Sequence, residues 1–100
     1  MRITYKNNRI EKACTDFEFA LKKCKYSQEL VLKLHLRIKQ IKGVQTVEEM
    51  ILHKIGRCHK LSGNRKDQYA VDLVHPQRLV FTVIGNEIQI AEILEITDYH

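Results

Sequence analysis

Several side chains in the second half of the chain are of the types needed to cut an RNA strand without a metal ion. Such cleavage needs a base for the ribose 2′-hydroxyl, cations for the phosphate and an acid for the departing 5′-oxygen. Histidine suits the first and last roles because its ordinary pKa is about 6.5, and arginine suits the second. Residues 57–65, Arg78 and the terminal Asp98-Tyr99-His100 offer side chains of these kinds.

A short basic segment surrounds His59. Residues 54–66 contain five Lys or Arg and no acid, whereas residues 67–100 contain one Arg and six acids. A cationic segment gains free energy by releasing counterions from a polyanion, so this one is a candidate phosphate-binding groove. A solvated basic loop is the alternative interpretation.

Hydrophobic periodicity predicts the elements that would position these residues. Residues 2–5 are expected to form a strand, and apolar residues at three-and-four spacing predict helices over 8–24 and 27–43. A short helix is expected from Val47 to about His53, because Thr46 and Glu49 have the spacing of a capping box. From there the period changes to two, which predicts strands over 69–74, 78–84 and 87–96.

The predicted fold class is α+β, with an N-terminal helical hairpin packed on a small twisted antiparallel sheet in one domain over residues 1–100. The helices would cover one face of that sheet and leave the other for a ligand. His59 and Leu61 should share one side of their strand, with Cys58 and Lys60 on the other.

Composition narrows the range of cellular compartments in which this protein is expected. The chain has 100 residues, 44% of them hydrophobic, and a formal charge of +5. Its first eight residues are mostly polar or charged, and no apolar run approaches the ~18 residues of a membrane span, so we expect neither secretion nor membrane insertion. Three cysteines without CxxC spacing favour a reducing compartment, here the bacterial cytoplasm.

Four stretches together resemble the HigB-type toxins of the RelE/ParE superfamily. They are Gly56-Arg57-Cys58-His59-Lys60-Leu61-Ser62-Gly63-Asn64-Arg65, Tyr69-Ala70-Val71-Asp72-Leu73, Arg78-Leu79-Val80-Phe81 and Asp98-Tyr99-His100. The resemblance implies a RelE-like fold and a toxin that cleaves translated mRNA in the ribosomal A site. It implies no metal or other cofactor, and a HigA-like helix-turn-helix antitoxin as partner.

The resemblance also implies roles for individual residues. His59 would be base or acid, Arg65 and Arg78 would hold the phosphate, and Asp98, Tyr99 and His100 would complete the site. Arg57, Lys60 and Lys66 would bind the RNA backbone. Many relatives have a lysine where this chain has Ser62, and Lys60 and Lys66, the possible substitutes, do not lie at the matching spacing.

Other interpretations are open at this point. A ParE-like inhibitor of DNA gyrase would share the fold, and a toxin homologue that binds RNA without cutting it would fit Ser62. A zinc site is disfavoured, because Cys58 and His59 should point to opposite faces of a strand and no paired ligand motif is present. The potential ligands are His53, Cys58, His59, His75 and His100.

Overall fold

A computed structural model of the protein describes residues 1–65 and 67–98. The strands are β1 (Arg2–Tyr5), β2 (His59–Lys60), β3 (Gln68–Asp72), β4 (Gln77–Ile84) and β5 (Ile90–Asp98). The helices are α1 (Asn8–Thr15), α2 (Phe17–Lys22), α3 (Gln28–Gly43) and α4 (Val47–Leu52). Single turns of 3₁₀ helix occur at Ile55–Arg57 and Gly63–Arg65.

Polar side chains determine where the helices begin. Ser27 accepts a hydrogen bond from the Leu30 amide, and Thr46 accepts one from the Glu49 amide, as N-caps do. The predicted starts of α3 and α4 are therefore confirmed. The single helix predicted over residues 8–24 was wrong, because Asp16 interrupts it and caps α2 through the Phe19 amide.

The five strands form one sheet in the order β1-β5-β4-β3-β2. Strands β2 to β5 are antiparallel neighbours, but β1 pairs with β5 in parallel. The predicted fold class is confirmed, with the correction that the sheet is mixed rather than wholly antiparallel. No hairpin turn joins β1 to β5, so turn geometry does not impose an antiparallel direction on this pair.

The last strand begins at Ile90 and not at residue 87, because residues 85–89 form the connection from β4. Gly85 has φ +93°, and a Cβ there would lie 2.2 Å from the carbonyl oxygen of Ile88. Only glycine fits this turn without strain.

The helices pack on one face of the sheet, and the main core lies between the two layers. Its largest fully buried side chains include Leu34 and Ile41 of α3 with Leu79, Phe81 and Ile93 of the sheet. We call the other side of the sheet the open face. Among the described residues, no helix is both long and apolar enough to cross a membrane.

Candidate functional site

The strand register places His59 on the open face. His59 pairs with Ala70, which pairs with Val80, which in turn pairs with Glu95, so one row of residues crosses four strands. Directly paired residues share a face, and Ala70 and Val80 pack with Leu61 in a small cluster away from the main core. The prediction that His59 and Leu61 share one side is therefore confirmed.

Lys60 lies on the helix side of the sheet. It pairs with Tyr69, whose ring stacks on the core residue Phe81 at a centroid distance of 5.8 Å. Lys60, Tyr69 and Glu48 of α4 line a cavity of about 280 Å³. The structure therefore separates Lys60 from His59, as the alternation of the strand predicted.

The His59 ring is anchored through one of its nitrogens. Its Nδ1 lies 2.9 Å from the backbone carbonyl oxygen of Arg57. Because a carbonyl oxygen can only accept, this hydrogen bond puts the proton of the neutral ring on Nδ1. Nε2 then carries the lone pair and is the nitrogen that can accept a proton from a substrate.

The turn before β2 brings Arg57 to the open face. Arg57 has φ +52°, and its Nε donates to Oδ2 of Asp72 in β3. Asp72 lies directly opposite Arg78 of β4. Arg57, Asp72 and Arg78 therefore belong to one charged group in the row next to the one that contains His59.

Arg37 of α3 supports the same turn from the helix side. Its Nε donates to the Asp72 carbonyl oxygen at 2.7 Å, and its Nη1 donates to Oε1 of Gln40 at 2.9 Å. A Cβ on Gly56, which has φ +57°, would lie 2.8 Å from Arg37 Nε. Burial lowers the pKa of the Arg37 guanidinium, and the nearby Asp72 opposes that shift.

Arg65 reaches across the open face to β5. Its Nη2 lies 3.2 and 3.3 Å from the two carboxylate oxygens of Glu95. Leu61 is buried beneath the same connection, against Ala70 and Val80. The expectation of a wholly free second face was wrong, because the segment Leu61–Arg65 covers part of it.

Arg78 lies on the same face of the sheet as His59. The two residues are two strands and two residues apart, so their Cα atoms are separated by about 12 Å.

Asp98 is not in the His59 row. It pairs with Gln77 at the end of β5, and strand alternation places it on the side of Leu79 and Ile96, which face the helices. Its side chain is exposed. The predicted site residues Lys66, Tyr99 and His100 lie outside the described residues.

Two acids of this site were not singled out in the sequence. Asp72 and Glu95 each pair with an arginine that lies 15 or 30 residues away along the chain. Strand alternation could have placed both acids on the outward face of the sheet, but alternation does not show which arginine each acid contacts.

Cys58 lies in the main core while its neighbour His59 faces outward. Burial raises the pKa of the Cys58 thiol to about 11. Within residues 1–65 and 67–98, no group of three His, Cys, Asp or Glu side chains could hold a metal ion.

The sequence matches no protein-family model and no curated protein. Solved structures do match it. A YoeB/ParE toxin from Agrobacterium tumefaciens aligns over the full length of both chains with a TM-score of 0.66 and 17% identity. The YoeB dimer and the YoeB-YefM complex from Staphylococcus aureus each align with 100% of this chain and 97% of that chain, with a TM-score of 0.60 and 25% identity. The chain therefore has the fold of YoeB/ParE toxins.

Proposed function

We propose that the protein is the toxin of a toxin-antitoxin pair, of the HigB type within the RelE/ParE superfamily, and that it cleaves translated mRNA in the ribosomal A site. The observation that carries the proposal is the position of His59. Its Nδ1 is tied to the backbone, its Nε2 carries the lone pair, and Arg78 leaves the same face of the sheet two strands away. The fold shared with YoeB and the sequence motifs around His59 support it further.

In the proposed reaction, a base removes the proton of the 2′-hydroxyl, and the resulting oxygen attacks the adjacent phosphorus. The bond from phosphorus to the 5′-oxygen breaks, an acid protonates that oxygen, and a 2′,3′-cyclic phosphate and a 5′-hydroxyl remain. His59 and His100 divide these two proton transfers. No metal or other cofactor takes part in this scheme.

Arginines stabilise the charge that develops on the phosphate. Arg78 faces the substrate from β4, while Arg65 stands next to it with Glu95 as its counterion in the unliganded protein. A phosphate would compete with Glu95 for the Arg65 guanidinium, because arginine binds both anions through the same fork of donors. Tyr99 would complete the site and could stack on a base. Asp98, predicted beside it, lies on the helix side of the sheet and would not reach a phosphate at His59 in this arrangement.

The RNA backbone is held by Arg57, Lys60 and Lys66 on either side of the cleavage point. Since Lys60 lies on the helix side of the edge strand β2, it would contact a part of the RNA that wraps around that edge. Ser62 supplies no charge where many HigB-type toxins have a lysine. We therefore expect slower cleavage, with the same products.

The partner would be a HigA-like antitoxin that binds DNA through a helix-turn-helix. The Staphylococcus aureus YoeB structure with YefM supports a partner of the antitoxin class. The bacterial cytoplasm, where mRNA is translated, is the place of action.

Two other functions have specific support. The Agrobacterium structure is described as YoeB/ParE, which keeps a ParE-like block of DNA gyrase as an alternative. The Arg65–Glu95 ion pair and Ser62 favour a homologue that binds RNA without cutting it.

Controlled expression in bacteria separates the three functions. We expect the wild type to arrest growth and to deplete messages without a DNA-damage response, and His59→Ala to permit growth. His53→Ala is the matched control, because His53 is an exposed histidine at the end of α4, and it should remain toxic. DNA damage with intact mRNA would establish the gyrase alternative, and arrest with intact mRNA and no damage would establish RNA binding alone.

A further inference from the structure

We propose that Asp72 is a positioning residue of the site, which acts through Arg57 to fix the orientation and the tautomer of the His59 ring. The link runs from the Asp72 carboxylate to the Arg57 side chain, and from the Arg57 carbonyl oxygen to His59 Nδ1. The inference rests on the proposed function only in treating His59 as a group that transfers protons. The contacts themselves lie within the protein, so they can be tested without RNA.

The hydrogen bond that orients the His59 ring is exposed to solvent. Water can therefore compete for Nδ1 and for the carbonyl oxygen of Arg57. Free histidine in water prefers the other tautomer, with its proton on Nε2, so the Nδ1–H form predominates only if the Arg57 carbonyl stays in place. Contacts with the rest of the fold must hold that carbonyl.

The backbone that carries this carbonyl is strained. Lys54, Gly56 and Arg57 all have positive φ, of +55°, +57° and +52°. Residues with a side chain keep this left-handed conformation only when the surrounding structure enforces it. Within the turn, the Cys58 amide donates to the Ile55 carbonyl oxygen at 2.9 Å, but the Arg57 amide lies 3.4 Å from its acceptor. The hydrogen bonds of the turn are therefore weak at Arg57 itself.

Asp72 contacts this turn through its side chain and through its backbone. Its Oδ2 accepts a hydrogen bond from Arg57 Nε, and its carbonyl oxygen accepts one from Arg37 Nε at 2.7 Å. Arg37 also packs against Gly56, where an added Cβ would lie 2.8 Å from Arg37 Nε. Asp72 is the last residue of β3 and pairs with Arg78 of β4. It therefore connects the strained turn to the sheet.

The exposure of the two side chains suits this role. The Asp72 side chain is 24% exposed, whereas that of Arg57 is 74% exposed. A partly buried carboxylate forms strong, charge-assisted hydrogen bonds, so Asp72 holds Arg57 more firmly than a fully solvated acid would. Asp72 lies in the row of the open face next to that of His59, so it acts through Arg57 and not on the substrate.

The tautomer of His59 is a direct readout of this link. Two-dimensional ¹H–¹⁵N spectra of the imidazole rings distinguish the two neutral tautomers, and the signals that disappear in His59→Gln identify the ring. In the wild type at pH 8 we expect the Nδ1–H form to predominate. Asp72→Ala and Arg57→Ala should each lower the ratio of the Nδ1–H to the Nε2–H form about threefold, the effect of one weakened hydrogen bond. The double variant should lower it no further, because both changes break the same link.

Cleavage provides a second readout. With a saturating amount of protein on translating ribosomes, Asp72→Ala should slow single-turnover cleavage on the order of tenfold, because the ring of His59 is no longer held in the productive orientation. Glu92→Ala removes an acid from the same face of the sheet, and Gly85→Ala strains a turn outside the site. Both controls should keep the wild-type tautomer ratio and cleavage rate. Thermal melting shows that each variant is folded.

Three results would overturn the inference. A wild-type tautomer ratio in both Asp72→Ala and Arg57→Ala would show that the turn holds the carbonyl without Asp72. Additive effects in the double variant would show that Asp72 acts by a route other than Arg57. An equal change in Asp72→Ala and Gly85→Ala would reduce the effect to lowered stability.

The proposed nuclease can fail separately from this inference. A tautomer ratio that depends on Asp72, in a protein whose wild type cuts no message, would refute the nuclease and keep the positioning role. Cleavage by the wild type together with an unchanged ratio in the variants would refute the positioning role alone.

Discussion

At the scale of the residue, the proposed cleavage chemistry depends on one atom, His59 Nε2. The hydrogen bond from Nδ1 to the Arg57 carbonyl sets the ring orientation and the tautomer together. His59→Gln places a polar group of similar length at the same position but cannot transfer protons near neutral pH. We expect RNA affinity to stay within about twofold and cleavage to fall by about 10²- to 10⁴-fold, measured as single-turnover rates. A variant that cuts at the wild-type rate would remove His59 from the mechanism.

The cysteines provide a prediction about the core. Burial raises the pKa of the Cys14 thiol to about 12 and that of Cys58 to about 11, so both remain protonated near neutral pH. The thiolate is the reactive form, and Cys24 is the one cysteine of the three that is only half-buried. One thiol should therefore react rapidly with a disulfide reagent at pH 8, and all three should react in urea. A fast thiol that persists in Cys24→Ser would contradict the placement of Cys14 or Cys58.

Strand alternation was sufficient to place His59 on the same side as Leu61, while the choice of His59 as a site residue came from the family resemblance and stays a prediction. Residue types and local spacing could not identify Glu95 as the partner of Arg65 or Asp72 as the partner of Arg57, because each contact joins residues that are distant in the chain. Such pairs form only when strand register brings them together. Sequence spacing also gave no indication that Asp98 would lie on the side of the sheet away from His59.

At the scale of the element, substitutions of two glycines test the backbone conformation of the β4–β5 turn and of the end of α3. Gly85 has φ +93° and no room for a Cβ, so Gly85→Ala should lower the free energy of unfolding by about 1–3 kcal/mol. Gly43 is the last residue of α3 and has no atom within 4 Å of an added Cβ, so Gly43→Ala should raise stability by about 0.5 kcal/mol. Urea denaturation measures both values. A stabilised Gly85→Ala protein would contradict the geometry of the β4–β5 turn.

The segment Leu61–Arg65 is held on the open face by the Arg65–Glu95 ion pair as well as by Leu61. The two ion-pair side chains are 41% and 39% exposed, so the pair contributes at most about 1 kcal/mol to global stability. Glu95→Gln should nevertheless speed amide hydrogen exchange within this segment. Glu92→Gln, which removes the same charge from β5, is the control and should leave that exchange unchanged. Equal exchange in both variants would show that the Arg65–Glu95 pair does not help to hold the segment.

The sequence predicts helix starts more reliably than helix interruptions, for a physical reason. Ser27 and Thr46 mark helix starts because capping is a local interaction, and both predictions were confirmed. Asp16 is a residue of the same type within a helical pattern, yet there it divides α1 from α2. Whether such a side chain caps a new helix or points to solvent depends on the packing of both helices against α3.

At the scale of the whole molecule, the proposed site and most of the excess positive charge lie in different layers. The open face carries His59 and arginines that are largely neutralised by acids, while the helical layer carries the excess of lysine and arginine. The positive charge is therefore divided unevenly between the two layers of the fold. The total charge of +5 could not reveal it, because the total does not depend on position.

The central claim is that this protein cuts messages during translation. The most direct measurement treats the purified protein with a chelator, removes the chelator, adds the metal-free protein to a translating extract, and maps the mRNA ends. The wild type should produce cuts within codons that bear cyclic phosphates, only while translation proceeds, and neither His59→Ala nor a chain lacking Tyr99 and His100 should produce them. Intact messages with the wild type, or the same cuts with His59→Ala, would contradict the account.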